Sequence, residues 1–296
     1  MKTSEKNVAL VLSSGGARGM AHVGVIEELE KAGYNIRSIA GSSIGAVVGG
    51  IYATGNLNAF AEWVNNLHKF DVFRLMDFTL STQGFIKGEK VFEEIRKFVE
   101  DKNIEDLDIP FVAIAADVFN RREVVLNKGS LFHAVRASIA IPTVLQPKKI
   151  NGIELVDGGV VNPIPVEHVH RSRNDILVVV DLNSTFPYKK PQFDKAAQEL
   201  NKNQYKQVFE KLKKKFRYNH SHGKSSSPRL GYYELLQKSM NLMQEKLSEM
   251  ILEKYQPDLL IRISRKACKT FEFYRSNEMI EAGKEAFHRA IRESNT

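Results

Sequence analysis

Apolar positions along the chain follow two rhythms. Short apolar runs at 7–12, 36–40, 111–116, 123–126, 154–156, 176–181 and 259–263 read as strands. Several lack a polar face, as expected where a parallel sheet is covered on both sides. Between most of them apolar residues recur at helical spacing. A helix is predicted over about 17–32, stopped by Gly33 as a C-terminal cap, and a small-residue helix follows residue 45 and closes at Gly55. The alternation predicts a three-layer α/β fold, with a central, largely parallel sheet and helices on both faces.

Two stretches break the rhythm. Residues 68–90 carry Phe70, Phe73, Leu75, Met76, Phe78, Phe85 and Ile86 without a period. Two readings stay open: an ordinary packed loop, or an apolar flap over an acyl-chain pocket. Residues 186–256 read as a basic helical insertion in a chain that is otherwise a single domain over 1–296. There Phe193, Ala197, Leu200, Val208, Leu212 and Phe216 form one interrupted stripe. After a Ser-rich break, Leu236, Met240, Met243, Leu247 and Met250 form another, whose methionines are expected to pack as core.

Charge sharpens that division. The formal net charge is +8, yet twelve Lys/Arg against three Asp/Glu fall within 186–229, so the rest of the chain is nearly neutral. The basic segment is open to two readings, a solvated helix face or a dock for anionic lipid surfaces. It lacks a recognised nucleic-acid motif, so no nucleic-acid partner is expected. Cys268 is the sole cysteine, which excludes an intrachain disulfide and suits a reducing compartment. The run 8–12 is shorter than the roughly 7–15 residues of a signal-peptide core. No stretch approaches the roughly 20 apolar residues of a spanning helix. A cytoplasmic protein is expected, its membrane contact peripheral and at the inner face.

Three motifs carry candidate chemistry. Gly41-Ser42-Ser43-Ile44-Gly45 fits the nucleophile elbow G-x-S-x-G, with a strand leading in and a helix leading out. Ser43, and not Ser42, has glycine at both two-residue flanks, Gly41 and Gly45. The following helix aims its N-terminus at any negative charge developing there. Ser14-Gly15-Gly16-Ala17-Arg18-Gly19 joins the first strand to the first helix and offers backbone N–H groups to an anion. Ser14 stands where a dinucleotide fingerprint needs its first glycine, and the second strand ends without an acidic residue. An oxyanion hole near Gly15 and Gly16 is the stronger reading. Arg18 either assists electrostatically or pairs with a carboxylate to hold the loop. Asp157-Gly158-Gly159 closes a short strand; alone it also fits a common turn.

Together, in this order, these motifs resemble the bacterial branch of the patatin-like phospholipase family, marked by G-G-x-R-G, G-x-S-x-G and D-G-[GA]. Residues 20–25 (MAHVGV), 83–88 (QGFIKG), 137–142 (ASIAIP) and 158–165 (GGVVNPIP) are similar to its other landmarks. The resemblance covers roughly the first 185 residues and resumes near Pro257. Ser14 departs from it, because many members carry a third glycine there. What the resemblance implies is a patatin-like fold and a Ser–Asp dyad: Asp157 as base for Ser43, and an oxyanion hole over Gly15, Gly16, Arg18 and Gly19. It implies a phospholipase A, lysophospholipase or esterase acting on phospholipid or another acyl ester, without metal or cofactor. No EF-hand loop or His-Glu-x-x-His occurs, and His168/His170 and His220/His222 read as surface residues. The alternatives are a Ser–Asp–His esterase or thioesterase using His168, His170 or His288, and a non-catalytic membrane-surface regulator.

Overall fold

A computed structural model describes residues 6–79, 84–191 and 231–294. Its strands are β1 (Lys6–Leu12), β2 (Tyr34–Ser42), β3 (Gly84–Ile86), β4 (Phe111–Asp117), β5 (Arg122–Leu126), β6 (Thr143–Leu145), β7 (Lys148–Ile150), β8 (Ile153–Asp157), β9 (Ile176–Ser184) and β10 (Leu259–Ser264). The helices are α1 (Met20–Lys31), α2 (Ile44–Ala53), α3 (Leu57–Asn65), α4 (Lys69–Leu75), α5 (Lys90–Ile95), α6 (Leu131–Ser138), α7 (Tyr232–Tyr255) and α8 (Ser276–Ser294).

Among the described residues the main sheet has eight strands in the order β10-β9-β1-β2-β4-β8-β7, with β5 paired to β4. The run from β10 to β4 is parallel; β5, β7 and β8 are antiparallel additions. β3 and β6 form a separate parallel pair. Alternate residues of β1 feed two cores. Val8, Leu10 and Leu12 join the large cluster with α1, α2 and α8, while Val11 packs opposite with Ile164, Leu177 and Val179. Ile251, Leu252 and Tyr255 of α7 cover that second face. The three-layer arrangement follows, because a strand apolar on both sides needs a cover on each.

Two compact units are distinguished, 1–190 with 240–296, and 191–239. The first Phe/Leu stripe and the lysine cluster of the basic segment lie outside the described residues. At the second unit's end, Leu235 N–H donates to the Gly231 carbonyl as α7 begins.

Three expectations need correction. The aperiodic 68–90 segment holds a helix and a strand, α4 and β3. The helix expected over 17–32 opens as a 3-10 turn, Gly16–Gly19, before α1. The methionine stripe packs only in part, with Leu236, Met240 and Leu247 half-buried. Met243 and Met250 face solvent, and the packed side of α7 also carries Gln244, Ser248 and Leu252.

Candidate active site

The register of β4 brings two distant residues together. On one edge of β4, β2 pairs as far as Ser42 opposite Ile114, and β8 takes over with Asp157 opposite Ala115. The last residue of β8 thus lies beside the turn that follows β2. Ser43 Oγ donates a 2.6 Å hydrogen bond to Asp157 Oδ2, and Asp157 Oδ1 accepts the Gly159 N–H at 2.7 Å. Both side chains are buried. Loss of water pushes the Asp157 carboxyl up to about 6, with the bonds from Ser43 and Gly159 opposing the rise.

Ser43 caps α2 with φ 54° and ψ −123°, a left-handed conformation for a non-glycine residue. Such strain costs on the order of 1–3 kcal/mol and persists only where packing enforces it. Here the enforcement is visible. A Cβ at Gly45 would overlap the Leu12 carbonyl, so only glycine lets α2 pass this close to β1. Ser138, at the end of α6, holds the elbow from the other side. Its Oγ accepts the Ser43 N–H at 2.9 Å and donates to the Ile114 carbonyl at 2.5 Å. Sequence reasoning placed Ser138 inside the 137–142 landmark but gave it no role, because a serine ending an apolar helix does not announce its partner.

The glycine loop leaves the C-terminal end of β1, which lies between β2 and β9, where successive connections diverge to either side of the sheet. It is fixed from several directions. Ser14 N–H donates to the Pro163 carbonyl at 2.9 Å, and Ala17 N–H to the Thr270 carbonyl at 2.8 Å. Buried His22 bonds the Ser13 carbonyl through Nε2 at 2.9 Å, its own pKa lowered to about 4 by desolvation. Gly16 has φ +59°, and a Cβ there would stand 2.7 Å from Thr270 Cγ2. The N–H groups of Gly15 and Gly16 have no protein acceptor among the described residues. Among the described residues Arg18 takes neither a carboxylate nor the pocket. Its Nη1 donates to the Arg265 and Cys268 carbonyls at 3.2 Å each, tying the loop to the end of β10. Burial lowers this guanidinium to about 10. Gly19 ends the 3-10 turn against Ile44 of α2, and Gly41 lies in β2 opposite Ala113.

Ser43 and Gly16 open onto a deep apolar pocket, lined among others by Val47, Phe60, Trp63, Val72, Phe92 and Leu145. Segment 68–90 supplies Val72, Leu75, Met76 and Ile86 to its wall. Among the described residues, no histidine bonds Ser43 or Asp157. His168 pairs with Glu123 at 3.0 Å and His288 with Glu28 at 2.8 Å. Glu123, Glu167 and His168 bring ligand-type atoms within 4.8 Å of one another. Asn162 Nδ2 and Tyr255 Oη donate into those carboxylates, so hydrogen bonds account for the grouping. No helix among the described residues is long and apolar enough to cross a membrane.

Comparison with known proteins gives four results. The family model described as patatin-like phospholipase matches residues 10–170, more than half of the chain. An uncharacterized NTE family protein of Mycobacterium tuberculosis is 32% identical over 95% of this chain and 90% of its own length. A lysophospholipase of Emericella nidulans is 32% identical over 60% of this chain, which spans 12% of that protein. Among solved structures, VipD from Legionella pneumophila overlaps with a TM-score of 0.49 at 11% identity, covering 98% of this chain and 67% of that one.

Proposed function

Because the chain belongs to the patatin-like phospholipase family, we propose that it is a serine lipid-acyl hydrolase with Ser43 as nucleophile and Asp157 as general base. The 2.6 Å bond from Ser43 Oγ to a buried, desolvated carboxylate carries this reading. A carboxylate in water is a weak base, with a pKa near 3.9. Raised to about 6, Asp157 accepts the serine proton more readily while staying ionised at neutral pH.

As Ser43 Oγ attacks the ester carbonyl, its proton passes to Asp157 Oδ2. The oxyanion takes the free N–H groups of Gly15 and Gly16, with the N-terminus of α2 adding its dipole. Arg18 and Gly19 shape that loop rather than touch the charge. Collapse expels the alcohol, which leaves with the proton from Asp157. Asp157 then deprotonates a water that attacks the acyl-serine, releasing the fatty acid and restoring Ser43.

The apolar pocket suits an acyl chain, and the lysophospholipase relatives support a lysophospholipid or phospholipid as its donor. On this reading 1–296 is one catalytic domain, 186–256 is its insertion, and the protein acts from the cytoplasm on a membrane's inner face. A Ser–Asp–His mechanism needs an imidazole at Asp157, whose two oxygens are instead engaged by Ser43 and Gly159. The test is hydrolysis of phospholipids, lysophospholipids and p-nitrophenyl esters by wild type and Ser43→Ala. Turnover that disappears in the variant supports the assignment; a variant as active as wild type overturns it.

A further inference from the structure

Segment 68–90 carries more aromatic surface than the pocket uses. While Val72, Leu75, Met76 and Ile86 turn into the pocket, Phe70, Phe73, Phe78 and Phe85 turn outward and remain 63%, 58%, 56% and 62% exposed. One exposed phenylalanine needs no explanation; four on one short segment do. Phe73 and Phe78 lie with ring centroids 5.3 Å apart, and Thr79 N–H donates to the Phe85 carbonyl at 2.7 Å. The frame beneath them is braced. Asp77 accepts the N–H groups of Gly88 and Glu89 at 2.6 and 3.1 Å, and Arg136 donates to the Lys87 and Gln146 carbonyls.

The fully exposed charges of the described part of this segment are cationic. Arg74, Lys87 and Lys90 are exposed. The acids of the segment are less exposed: Asp71 is half-buried and accepts the His68 N–H at 2.9 Å, Asp77 is buried, and half-buried Glu89 lies 3.6 Å from both Arg136 and Lys148. What its described residues expose most is aromatic and cationic, and Val72, Leu75, Met76 and Ile86 form part of the wall of a pocket that opens at Ser43. A bilayer bearing anionic headgroups over hydrocarbon complements both features.

We propose that the face formed by Phe70, Phe73, Phe78 and Phe85 docks on an anionic phospholipid bilayer, delivering an acyl chain past the inner side of the same segment to Ser43. The delivery step rests on the hydrolase reading; the docking does not. The rings enter the boundary between headgroups and acyl chains, and Arg74, Lys87 and Lys90 lie at the level of the phosphates. This differs from docking by the 186–229 lysines, which is purely electrostatic and which salt screens.

Flotation of the full chain with phosphatidylglycerol/phosphatidylcholine vesicles in about 0.5 M NaCl isolates the aromatic contribution. Ser43→Ala serves as parent so that the vesicles are not consumed, and Phe73→Ser/Phe78→Ser is added to it. The parent floats, and the added pair lowers its partition at least about tenfold, since two rings lose their apolar burial. Placed in the wild-type chain, the pair leaves the melting temperature and p-nitrophenyl butyrate hydrolysis unchanged within about twofold, because neither ring lines the pocket. Equal flotation of parent and variant overturns the proposal. So does a parent that self-associates through these rings while its flotation is indifferent to them, which would make the face an interface between copies. Failure of wild type to hydrolyse any ester counts against the hydrolase reading alone, and flotation still decides the docking.

Discussion

Ser138 Oγ accepts the backbone N–H of Ser43 at 2.9 Å, so the strained turn carrying the candidate nucleophile is pinned by a side chain 95 residues away in the chain. The same hydroxyl donates to the Ile114 carbonyl, at the level of β4 where β2 gives way to β8. One serine therefore links the elbow to β4, the strand against which β8 presents Asp157.

Ser138→Ala leaves the Ser43 N–H and the Ile114 carbonyl unpaired in a buried site, at a cost of about 1–3 kcal/mol in stability. If Ser138 positions Ser43, kcat falls by at least about tenfold with KM nearly unchanged, because the acyl pocket is untouched. Steady-state kinetics on a soluble ester separate this from simple destabilisation, which lowers the active fraction without altering kcat per labelled site.

The raised pKa of Asp157 has consequences of opposite sign for rate and stability. As a base it must be ionised, so kcat/KM falls as pH drops through about 6. A carboxyl raised on folding binds its proton more tightly when native. Its stabilising contribution is therefore complete below the unfolded pKa of 3.8 and is lost as pH rises through about 6. Asp157→Asn removes the buried charge. It should raise stability at pH 8 by on the order of 2 kcal/mol, with the gain vanishing near pH 4, while turnover falls by about 10⁴-fold or more. Paired melting curves and rates against pH check both signs.

Much of the frame was legible because its physics is local. β1 and β9 are buried on both faces, so their apolar runs stand out without any partner being known. The elbow was legible for a steric reason, since Gly45 must pass the Leu12 carbonyl. The apolar-flap alternative for 68–90 anticipated pocket-wall residues, but α4 itself was hidden. Its seven residues are apolar both toward the pocket, at Val72 and Leu75, and toward solvent, at Phe70 and Phe73, which erases the helical period. The Met stripe of α7 misled for the converse reason. Its spacing is helical, yet Met243 and Met250 face solvent, while Gln244 packs inward and donates to the Gly159 carbonyl at 3.0 Å beside the candidate base. Arg18 was read either as an electrostatic aid or as a partner for a carboxylate that holds the loop; it does hold the loop, but through two backbone carbonyls brought in by the fold, and no sequence pattern announces those.

Val47 lies one helical turn beyond Ser43 on α2, its N–H directed at the Ser43 carbonyl, and it lines the pocket. Val47→Phe narrows the cavity beside the nucleophile without touching Ser43, Asp157 or the glycine loop. Hydrolysis of a dodecanoyl ester should fall at least about tenfold relative to an acetyl ester. An unchanged ratio across the acyl series means that the chain lies elsewhere. Overpacking costs about 1–3 kcal/mol, so the ratio and not the absolute rate is the measure.

The central claim is that Ser43, activated by Asp157, is the nucleophile. Labelling with a fluorophosphonate followed by peptide mapping tests it most directly, since the reagent reports nucleophilicity without requiring the natural substrate. The account predicts a single adduct on Ser43 in wild type, its rate of formation falling below pH 6, and none in Ser43→Ala. Labelling of another serine at the wild-type rate in Ser43→Ala, or an unlabelled Ser43 in a wild type that hydrolyses esters, would contradict it.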